Sequence, residues 1–159
     1  MDIKTILFYV AIAITLYVVY LLVFAKSDDL TLTGISNAKG SNTINSSNLK
    51  PGNSNDYTFS IWAYVNDWNY RFGQSKTIFQ RVDKSNSPAP SMALAESSND
   101  LIVTVSYKTG TTTNQFACKV ENIPLQRWTN YIMVINGRSL DIYVDGKLVK
   151  TCVIPGVPS

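Results

Sequence analysis

The stretch from Thr5 to Ala25, TILFYVAIAITLYVVYLLVFA, contains no Asp, Glu, Lys or Arg. A helix rises about 1.5 Å per residue, so a helix of this length covers the ~30 Å hydrocarbon core of a bilayer. A helix also satisfies its own backbone hydrogen bonds, as a segment in lipid must. We therefore predict an N-terminal transmembrane anchor over residues 1–26, in a single-pass protein whose remaining chain lies beside the membrane.

Two other interpretations of this stretch stay open. A buried core helix usually has a polar face, whereas this one is apolar all round. A cleavable signal peptide has a shorter apolar core, although Val23-Phe24-Ala25 resembles a cleavage site. Lys4 and Lys26 flank the stretch on opposite sides, so the positive-inside rule leaves the orientation undetermined. The predicted anchor residues are Ile6, Leu7, Phe8, Tyr9, Val10, Ile12, Ile14, Leu16, Tyr17, Val18, Val19, Tyr20, Leu21, Leu22, Val23 and Phe24.

The composition excludes several classes of function. The net charge is only +3 and no basic block occurs, so nucleic acid is not an expected partner. The absence of His removes His-dependent acid–base catalysis, His-activated nucleophiles and His metal ligands. The only two cysteines form no CxxC motif, which makes a zinc site a weak hypothesis.

Residues 27–56 change to Ser, Asn, Gly, Lys and Thr. The short alternation Leu30–Ile35 predicts a first strand, and the polar stretch after it predicts a linker with a short strand at Thr43–Ile44. This segment has too few apolar residues to bury much surface.

From Tyr57 onward the chain alternates between strand patterns and turn signals. Tyr57–Val65 places Phe59, Ile61, Ala63 and Val65 on one face and Thr58, Ser60, Trp62 and Tyr64 on the other. The further predicted strands are Lys76–Val82, Ser91–Glu96, Leu101–Tyr107, Gln115–Val120, Trp128–Ile135, Leu140–Val144 and Lys147–Cys152.

Two dipeptides, Asn136-Gly137 and Asp145-Gly146, are strong hairpin signals because both central residues of a type I′ turn need positive φ. No amphipathic helix pattern follows residue 25. We therefore predict an all-β domain over residues 57–159, an antiparallel β-sandwich or jelly roll preceded by one transmembrane helix.

Several motifs resemble a known family. Phe59-Ser60-Ile61-Trp62-Ala63-Tyr64-Val65 resembles an early strand of laminin-G-like, concanavalin A-like domains. Ile123-Pro124-Leu125-Gln126-Arg127-Trp128, followed by Leu140–Lys147 with its Tyr143-Val144-Asp145-Gly146-Lys147, resembles the later strands of that family. The resemblance covers residues 57–155 and implies a concanavalin A-like jelly roll.

Domains of this family continue past the hairpin with further strands, one of which pairs with the first. We therefore expect the protein to continue beyond Ser159, and the sandwich in residues 57–159 to be incomplete at its C-terminus. The combination of anchor and domain is also similar to small proteins of large icosahedral DNA viruses, such as the chlorella viruses, which have an internal membrane beneath the capsid. That resemblance implies a minor capsid protein in the virion.

The acidic residues do not predict an enzyme. Glycoside hydrolases of this fold need two carboxylates around the scissile bond. Glu96 and Glu121 lie far apart in the sequence, Asp141 alternates with apolar residues, and Asp145 belongs to a turn. We expect no enzymatic activity.

Calcium is a weaker alternative to having no cofactor. Asn66, Asp67 and Asn69 follow one strand, and Asp83 and Asn86 follow another. Calcium prefers several such oxygen ligands, but neither spacing specifies a site, and Asn and Asp in loops commonly serve turn geometry. We expect no cofactor.

Aromatic residues mark the candidate contact site. Trp68, Tyr70, Arg71 and Phe72 follow the first strand of the domain, and three roles stay open for them: capping the sandwich edge, contacting a protein, or stacking on a sugar. Trp62 and Trp128 lie within strands, and we predict that they pack in the core or against the sheet.

Cys118 and Cys152 have two interpretations. A disulfide between them would close a loop of 34 residues and stabilise the fold by ~2–4 kcal/mol. The alternative is two buried free thiols. We favour the disulfide.

Two functional hypotheses follow. The first is a non-enzymatic structural protein that ties a bilayer, as in a virion beneath its capsid, to capsid or other coat proteins. The second is a membrane-displayed, lectin-like module that binds glycan or a host receptor.

Overall fold

The structure of the chain is a computed structural model that describes residues 2–24, 32–45, 47, 49, 56–82 and 88–158. The chain divides into two compact units, Met1–Lys50 and Pro51–Ser159. The first contains the helix, and the second contains every strand in the described ranges.

The helix α1 spans Ile3–Phe24, and the side chains from Asp2 to Tyr20 are exposed. Its 22 residues give a length of about 33 Å at ~1.5 Å per residue. The mean hydropathy of Ile3–Tyr20 is 2.0, so α1 is long and apolar enough to cross a bilayer, a test that an N-terminal signal sequence also passes. Ala25 and Lys26, the predicted end of the anchor, lie outside the described residues.

The predicted strand Leu30–Ile35 is wrong where the structure describes it. Leu32–Ile35 forms no strand, and Ile35 is 91% exposed, while Leu30 lies outside the described residues. Thr43–Ile44 forms no strand either. An extended segment becomes a strand only when a neighbour pairs with its backbone, and side-chain alternation alone does not supply that neighbour.

The second unit is a sandwich of antiparallel strands. Its strands are β1 Tyr57–Tyr64, β2 Lys76–Val82, β3 Pro88–Leu94, β4 Leu101–Thr109, β5 Thr112–Val120, β6 Trp128–Asn136, β7 Ser139–Val144, β8 Lys147–Val153 and β9 Val157–Pro158. One sheet has the order β1-β6-β7-β8 and the other the order β2-β3-β4-β5, with β9 also on β4. The predicted all-β sandwich, consistent with a jelly roll, is confirmed.

The core lies between the two sheets because each strand turns its apolar face inward. Fully buried side chains from both sheets meet there, among them Met92, Val103, Tyr131, Met133 and Ile142. The predicted alternation of β1 is confirmed, since the side chains of its odd-numbered residues are half-buried and those of its even-numbered residues are exposed. This alternation decides which side chains the sheet presents to solvent.

The two predicted hairpin turns differ in outcome. Asp145 and Gly146 have φ of 49° and 77° between Val144 and Lys147, the pattern of the predicted type I′ turn. At the other turn Asn136 is instead the last residue of β6, and the two loop residues are Gly137 and Arg138. Of these only Gly137 has positive φ, 56°, which is the pattern of a type II′ turn.

The chain returns from β8 to the other sheet, where Val157–Pro158 pairs with Tyr107 and Lys108 of β4. In the described residues, no strand after β8 pairs with β1, the pairing that the family resemblance led us to expect. Gly156 is needed at this crossing, because a Cβ there would lie 2.3 Å from the Lys108 carbonyl oxygen.

Candidate functional site

The predicted contact loop after β1 is mainly structural. Trp68 is half-buried and packs against the core, and the Lys76 Nζ lies 4.9 Å from the centroid of its ring. Tyr70 is also half-buried. For these two side chains the structure favours the capping role over a contact role.

The other two residues of this loop face solvent. Arg71 has φ of 51°, and its Nε donates to the Gln74 Oε1 at 3.0 Å. Phe72 is 60% exposed, and the amide of the next residue, Gly73, donates to the Glu96 carbonyl at 3.0 Å. The four predicted residues therefore do not form one exposed cluster, and Phe72 alone offers a strongly exposed ring.

A different set of aromatic side chains forms the exposed surface. Trp62 and Tyr64 of β1 are 62% and 44% exposed, and Trp128 of β6 is 50% exposed. We predicted that Trp62 and Trp128 pack in the core or against the sheet, and the core alternative is wrong for both. Trp62 shares the solvent face of β1 with Tyr64, and Trp128 lies on the outer face of β6 beside Tyr64. We call Trp62, Tyr64 and Trp128 the aromatic cluster.

Strand register brings the aromatic cluster together. Tyr64 pairs with Trp128 across the β1–β6 ladder, and their ring centroids lie 5.8 Å apart with the rings tilted by 61°. Trp62 pairs with Asn130. Edge-to-face rings at this distance attract each other, so Tyr64 and Trp128 are held together by side-chain contact as well as by the backbone.

Asn130 holds β6 to β1 beside the aromatic cluster. It is 9% exposed, and its Nδ2 donates to the Ser60 Oγ at 3.0 Å and to the Ile61 carbonyl at 3.4 Å. Asn130 therefore ties β6 to β1 directly beside Trp62. A buried amide with these partners is a fixed element of the sheet.

Asp145 fastens the β7–β8 turn to the same part of β6. Its Oδ1 accepts from the Asn130 amide at 2.9 Å, and its own amide donates to the Asn130 carbonyl at 2.9 Å. Its Oδ2 forms an ion pair with the Arg127 guanidinium. Turn geometry and backbone hydrogen bonds thus account for Asp145, as its position in the sequence indicated.

Aliphatic side chains continue the outer face of this sheet. Leu148 and Val153 of β8 are exposed, and Ile132 and Val134 of β6 are half-buried on the same side. With strands ~4.8 Å apart and ~3.3 Å per residue, a four-stranded face of this length measures about 500 Å². The outer face is therefore mixed, because these apolar side chains share it with Asn130, Asp141 and Thr151.

A disulfide joins the two sheets. Cys118 of β5 and Cys152 of β8 are bonded, with their Cα atoms 6.2 Å apart. This is the pairing that the sequence analysis favoured over two free thiols. Beside it a groove of about 550 Å³ opens between the β5–β6 loop and the β7–β8 hairpin.

A carboxylate with a lowered pKa lies beside Lys119, which lines this groove. The Asp100 carboxylate accepts from the Lys119 ammonium at 2.8 Å, from the Ser98 hydroxyl and from the Asn122 amide at 3.1 Å. The hydrogen bond from Lys119 is the main cause that lowers the pKa of Asp100 to about 2. In turn, Asp100 raises the pKa of Lys119. These hydrogen bonds of Asp100 connect the β3–β4 loop to the end of β5. This structural role explains why the pKa of Asp100 is lowered.

Three of the acidic residues considered for catalysis or calcium make local contacts. Asp141 accepts from the Thr151 hydroxyl at 2.7 Å, and Glu121 lies 3.7 Å from the Lys119 ammonium. Asp67 accepts from the Asn69 amide at 2.9 Å, which is a turn contact. Asp83 and Asn86 lie outside the described residues.

Comparison with known proteins agrees with the fold. The model of the concanavalin A-like lectin/glucanases superfamily matches residues 36–159, which extends the likeness 21 residues upstream of β1. No curated protein sequence matches the chain. The match covers most of the chain and both sheets of the sandwich, so the chain belongs to the concanavalin A-like lectin/glucanases superfamily, in its laminin-G branch.

Proposed function

We propose that this chain is a non-enzymatic, single-pass membrane protein that joins a bilayer to a protein layer. In this proposal α1 is the anchor and the outer face of the β1-β6-β7-β8 sheet is the contact surface. The observation that carries it is the exposed aromatic cluster of Trp62, Tyr64 and Trp128.

The anchor is supported by the composition of α1. None of the residues from Thr5 to Phe24 is charged, and the described side chains from Asp2 to Tyr20 all lie exposed. An exposed apolar helix of about 33 Å is unfavourable in water and matches the thickness of a bilayer. Phe8 and Tyr9 near one end, and Tyr17 and Tyr20 toward the other, suit the two membrane–water interfaces.

The contact surface is supported by the kind of side chains that it exposes. Trp and Tyr are enriched among the residues that carry most of the binding energy in protein interfaces. Here two Trp and one Tyr lie on one outer sheet face, with Leu148 and Val153 at its far edge. A sheet face that exposes aromatic and aliphatic side chains among polar ones suits contact with another folded protein.

The absence of enzymatic activity is part of the proposal. It is supported by the structural roles of the carboxylates, since Asp100, Asp141 and Asp145 each accept hydrogen bonds that hold loops or strands together. If one of these carboxylates acted as a general acid, it would lose a hydrogen bond that now holds a loop or a strand.

The finer form of the proposal names the layer and the bilayer. From its similarity to small proteins of large icosahedral DNA viruses, we assign the protein layer to the capsid and the bilayer to the membrane beneath it. This assignment is supported by that resemblance alone. Its test is mass spectrometry of purified particles, with alkaline carbonate extraction and protease protection. A chain that is absent from particles, or is digested on intact ones, contradicts it.

A second candidate function is lectin-like display. The observation that favours it is the pair of exposed rings of Tyr64 and Trp128, 5.8 Å apart, since such rings also stack on sugar faces. Membership of a superfamily that includes lectins adds to it.

One experiment separates the two candidates and tests the face itself. Association of the full chain with coat-protein extract and with a glycan array is compared between wild type and Trp62→Ala/Trp128→Ala. The matched control is Phe72→Ala, whose ring is 60% exposed but lies in the loop after β1. We expect protein association to fall at least tenfold in the double variant and to persist in the control. Equal association of all three chains would refute the proposed face. A glycan signal that needs Trp128 would establish the second candidate.

A further inference from the structure

The groove between the β5–β6 loop and the β7–β8 hairpin carries an excess of positive charge. Its volume of about 550 Å³ is within the range of small-molecule sites. Four cationic and two anionic side chains line it, so the net charge of the lining is +2. These charged residues are Lys119, Arg127, Lys147 and Lys150, together with Glu121 and Asp145.

Two of the four cations are already compensated. Arg127 forms an ion pair with Asp145, and the Lys119 ammonium lies within 4.0 Å of two carboxylates. Lys147 and Lys150 form no ion pair with any residue that the structure describes. The uncompensated charge of the groove therefore belongs to its β8 wall.

A β-bulge places both of these lysines on the same side of β8. In a regular strand, residues three apart point to opposite faces. Lys150 is opposite Ile142, which is fully buried, so its side chain lies on the inner side of the sheet. Lys147 is opposite Val144, which packs against the core, and Val149 has no partner between the two lysines. This extra residue is what returns Lys147 to the inner side, a use of bulges that is common beside binding sites.

Apolar side chains line the groove between the charged ones. They are Val120, Ile123, Pro124, Val144 and Val149. Val149 is 44% exposed beside the two lysines. This lining suits a ligand in which an anionic group adjoins an apolar part, because the ammonium groups attract the anion while the apolar part covers the valines.

Covalent and hydrogen bonds hold the two walls of the groove together. The Cys118–Cys152 disulfide joins them, two residues after Lys150 on β8. Asp145 ties the hairpin turn to the Asn130 backbone through two hydrogen bonds of 2.9 Å. A site that is held in this way loses little conformational entropy when a ligand binds.

We propose that this groove binds the anionic headgroup of a phospholipid, with Lys147 and Lys150 at the charged group and Val149 against the adjoining apolar part. The proposal rests on the membrane anchor of the proposed function, since α1 brings a bilayer to the same chain. The 32 residues 25–56 span up to about 105 Å when extended, so the sandwich can reach the surface of that bilayer. The aromatic cluster lies on the outer face of the sheet and stays available to a protein partner.

The chemistry of the groove favours a bilayer over an acidic protein or free phosphate. Free phosphate and an acidic peptide would engage the ammonium groups alone, whereas a lipid also covers Val149. Lysine suits a membrane surface, because its apolar stem packs against lipid while its ammonium group stays at the headgroups. Each lysine near an anionic bilayer strengthens the association by about fivefold.

Lysine footprinting of the full chain tests the proposal in a bilayer. The chain is reconstituted into nanodiscs of phosphatidylcholine, or of an equal mixture of phosphatidylcholine and phosphatidylserine, and is briefly acetylated before mass spectrometry. We expect acetylation of Lys147 and Lys150 to fall about fivefold or more in the mixed discs. Lys108, exposed near the far end of β4, is the internal control and is expected to react equally in both. Equal acetylation of the two groove lysines in both discs, or equal protection of Lys108, would overturn the proposal.

A second measurement needs no bilayer and so separates this proposal from the anchor. Dibutyryl phosphatidylserine, a short-chain soluble lipid, is titrated calorimetrically into the full chain in non-ionic detergent. We expect Lys147→Gln/Lys150→Gln to weaken its binding about 25-fold, fivefold for each lysine, and the control Lys108→Gln to bind like wild type. Both groove lysines are exposed, so the double variant is expected to fold.

The outcomes of this titration decide the ligand. Binding of inorganic phosphate or of a poly-glutamate peptide as tight as that of the lipid would overturn the lipid assignment. Equal binding of the lipid by the double variant and wild type, or no binding by wild type, would refute the groove as its site. A failed anchor shows instead as a chain that does not enter nanodiscs, whatever the titration gives.

Discussion

Removal of the disulfide gives the sharpest test of how the sandwich is held together. Cys118 and Cys152 close a loop of 34 residues between β5 and β8. With the loop-closure relation, a loop of that length lowers the entropy of the unfolded chain by about 13 cal/mol/K, or about 4 kcal/mol at 25 °C. That is a large fraction of the 5–15 kcal/mol by which domains are usually stable.

The perturbation is Cys118→Ala/Cys152→Ala, measured by urea unfolding of the full chain in detergent with tryptophan fluorescence. With a slope of about 2 kcal/mol/M, we expect the midpoint to fall by about 2 M. Cys152→Ala alone is the matched control and is expected to lose nearly as much, because either change breaks the bond. Wild type in reducing agent should follow the double variant.

Two results would refute this reasoning. One is an unchanged midpoint in the double variant, which would mean that the loop is already constrained in the unfolded chain. The other is full labelling of both thiols in unreduced wild type, which would mean that the bond does not form.

Three further predictions concern individual contacts. The pKa of Asp100 is lowered to about 2, so its carboxylate contributes stability above pH ~4 that is lost as pH falls toward 2. Asp100→Asn should lower the urea midpoint of unfolding at pH 7 and reduce the further decrease of that midpoint in acid. The same dependence of the midpoint on pH in the variant and in wild type would contradict this. Gly156→Ala should cost about 1–3 kcal/mol, because its Cβ meets backbone at 2.3 Å, while Gly34→Ala, with open space around it, should unfold like wild type. Trp68→Ala should cost about 2 kcal/mol of unfolding free energy and Phe72→Ala less than about 0.5, since only the first ring packs against the core; equal losses would count against the capping role.

The hairpin at Asp145-Gly146 was predictable from the sequence because its signal is local. Positive φ at two successive residues selects that pair almost independently of the rest of the fold. The turn at Asn136-Gly137 was predicted one residue too early, because its position depends on how β6 pairs with β7 and not on the local sequence alone. Asn136-Gly137 permits a type I′ turn, but the pairing of β6 with β7 puts the loop at Gly137 and Arg138.

The aromatic cluster was missed although its signal was present. Tyr57–Val65 already placed Trp62 and Tyr64 on the face shared with Thr58 and Ser60. The prediction gave more weight to the general burial of Trp than to this alternation, and in a strand the alternation decides the side. The approach of Trp128 to Tyr64 was not predictable, because it depends on which strand lies beside β1.

The strand predicted at Leu30–Ile35 is wrong where it is described, because no described strand pairs with that segment. The described part, Leu32–Ile35, is exposed and unpaired with any strand in the described residues. Pairing is a property of two segments, and one sequence segment shows only half of it. The same limit applies to the end of the chain, where β9 pairs with β4.

The position of the disulfide has a mechanical consequence. It links β5 to β8, at the side of the sandwich opposite to β1, and the chain from α1 enters the sandwich at Tyr57 of β1. Among the residues that the structure describes, β1 has a ladder with β6 alone, so a force applied through the N-terminus loads that ladder while the disulfide holds β5 to β8. We expect the loss of β1 to be the first mechanical event under such tension, before the covalent bond bears any load.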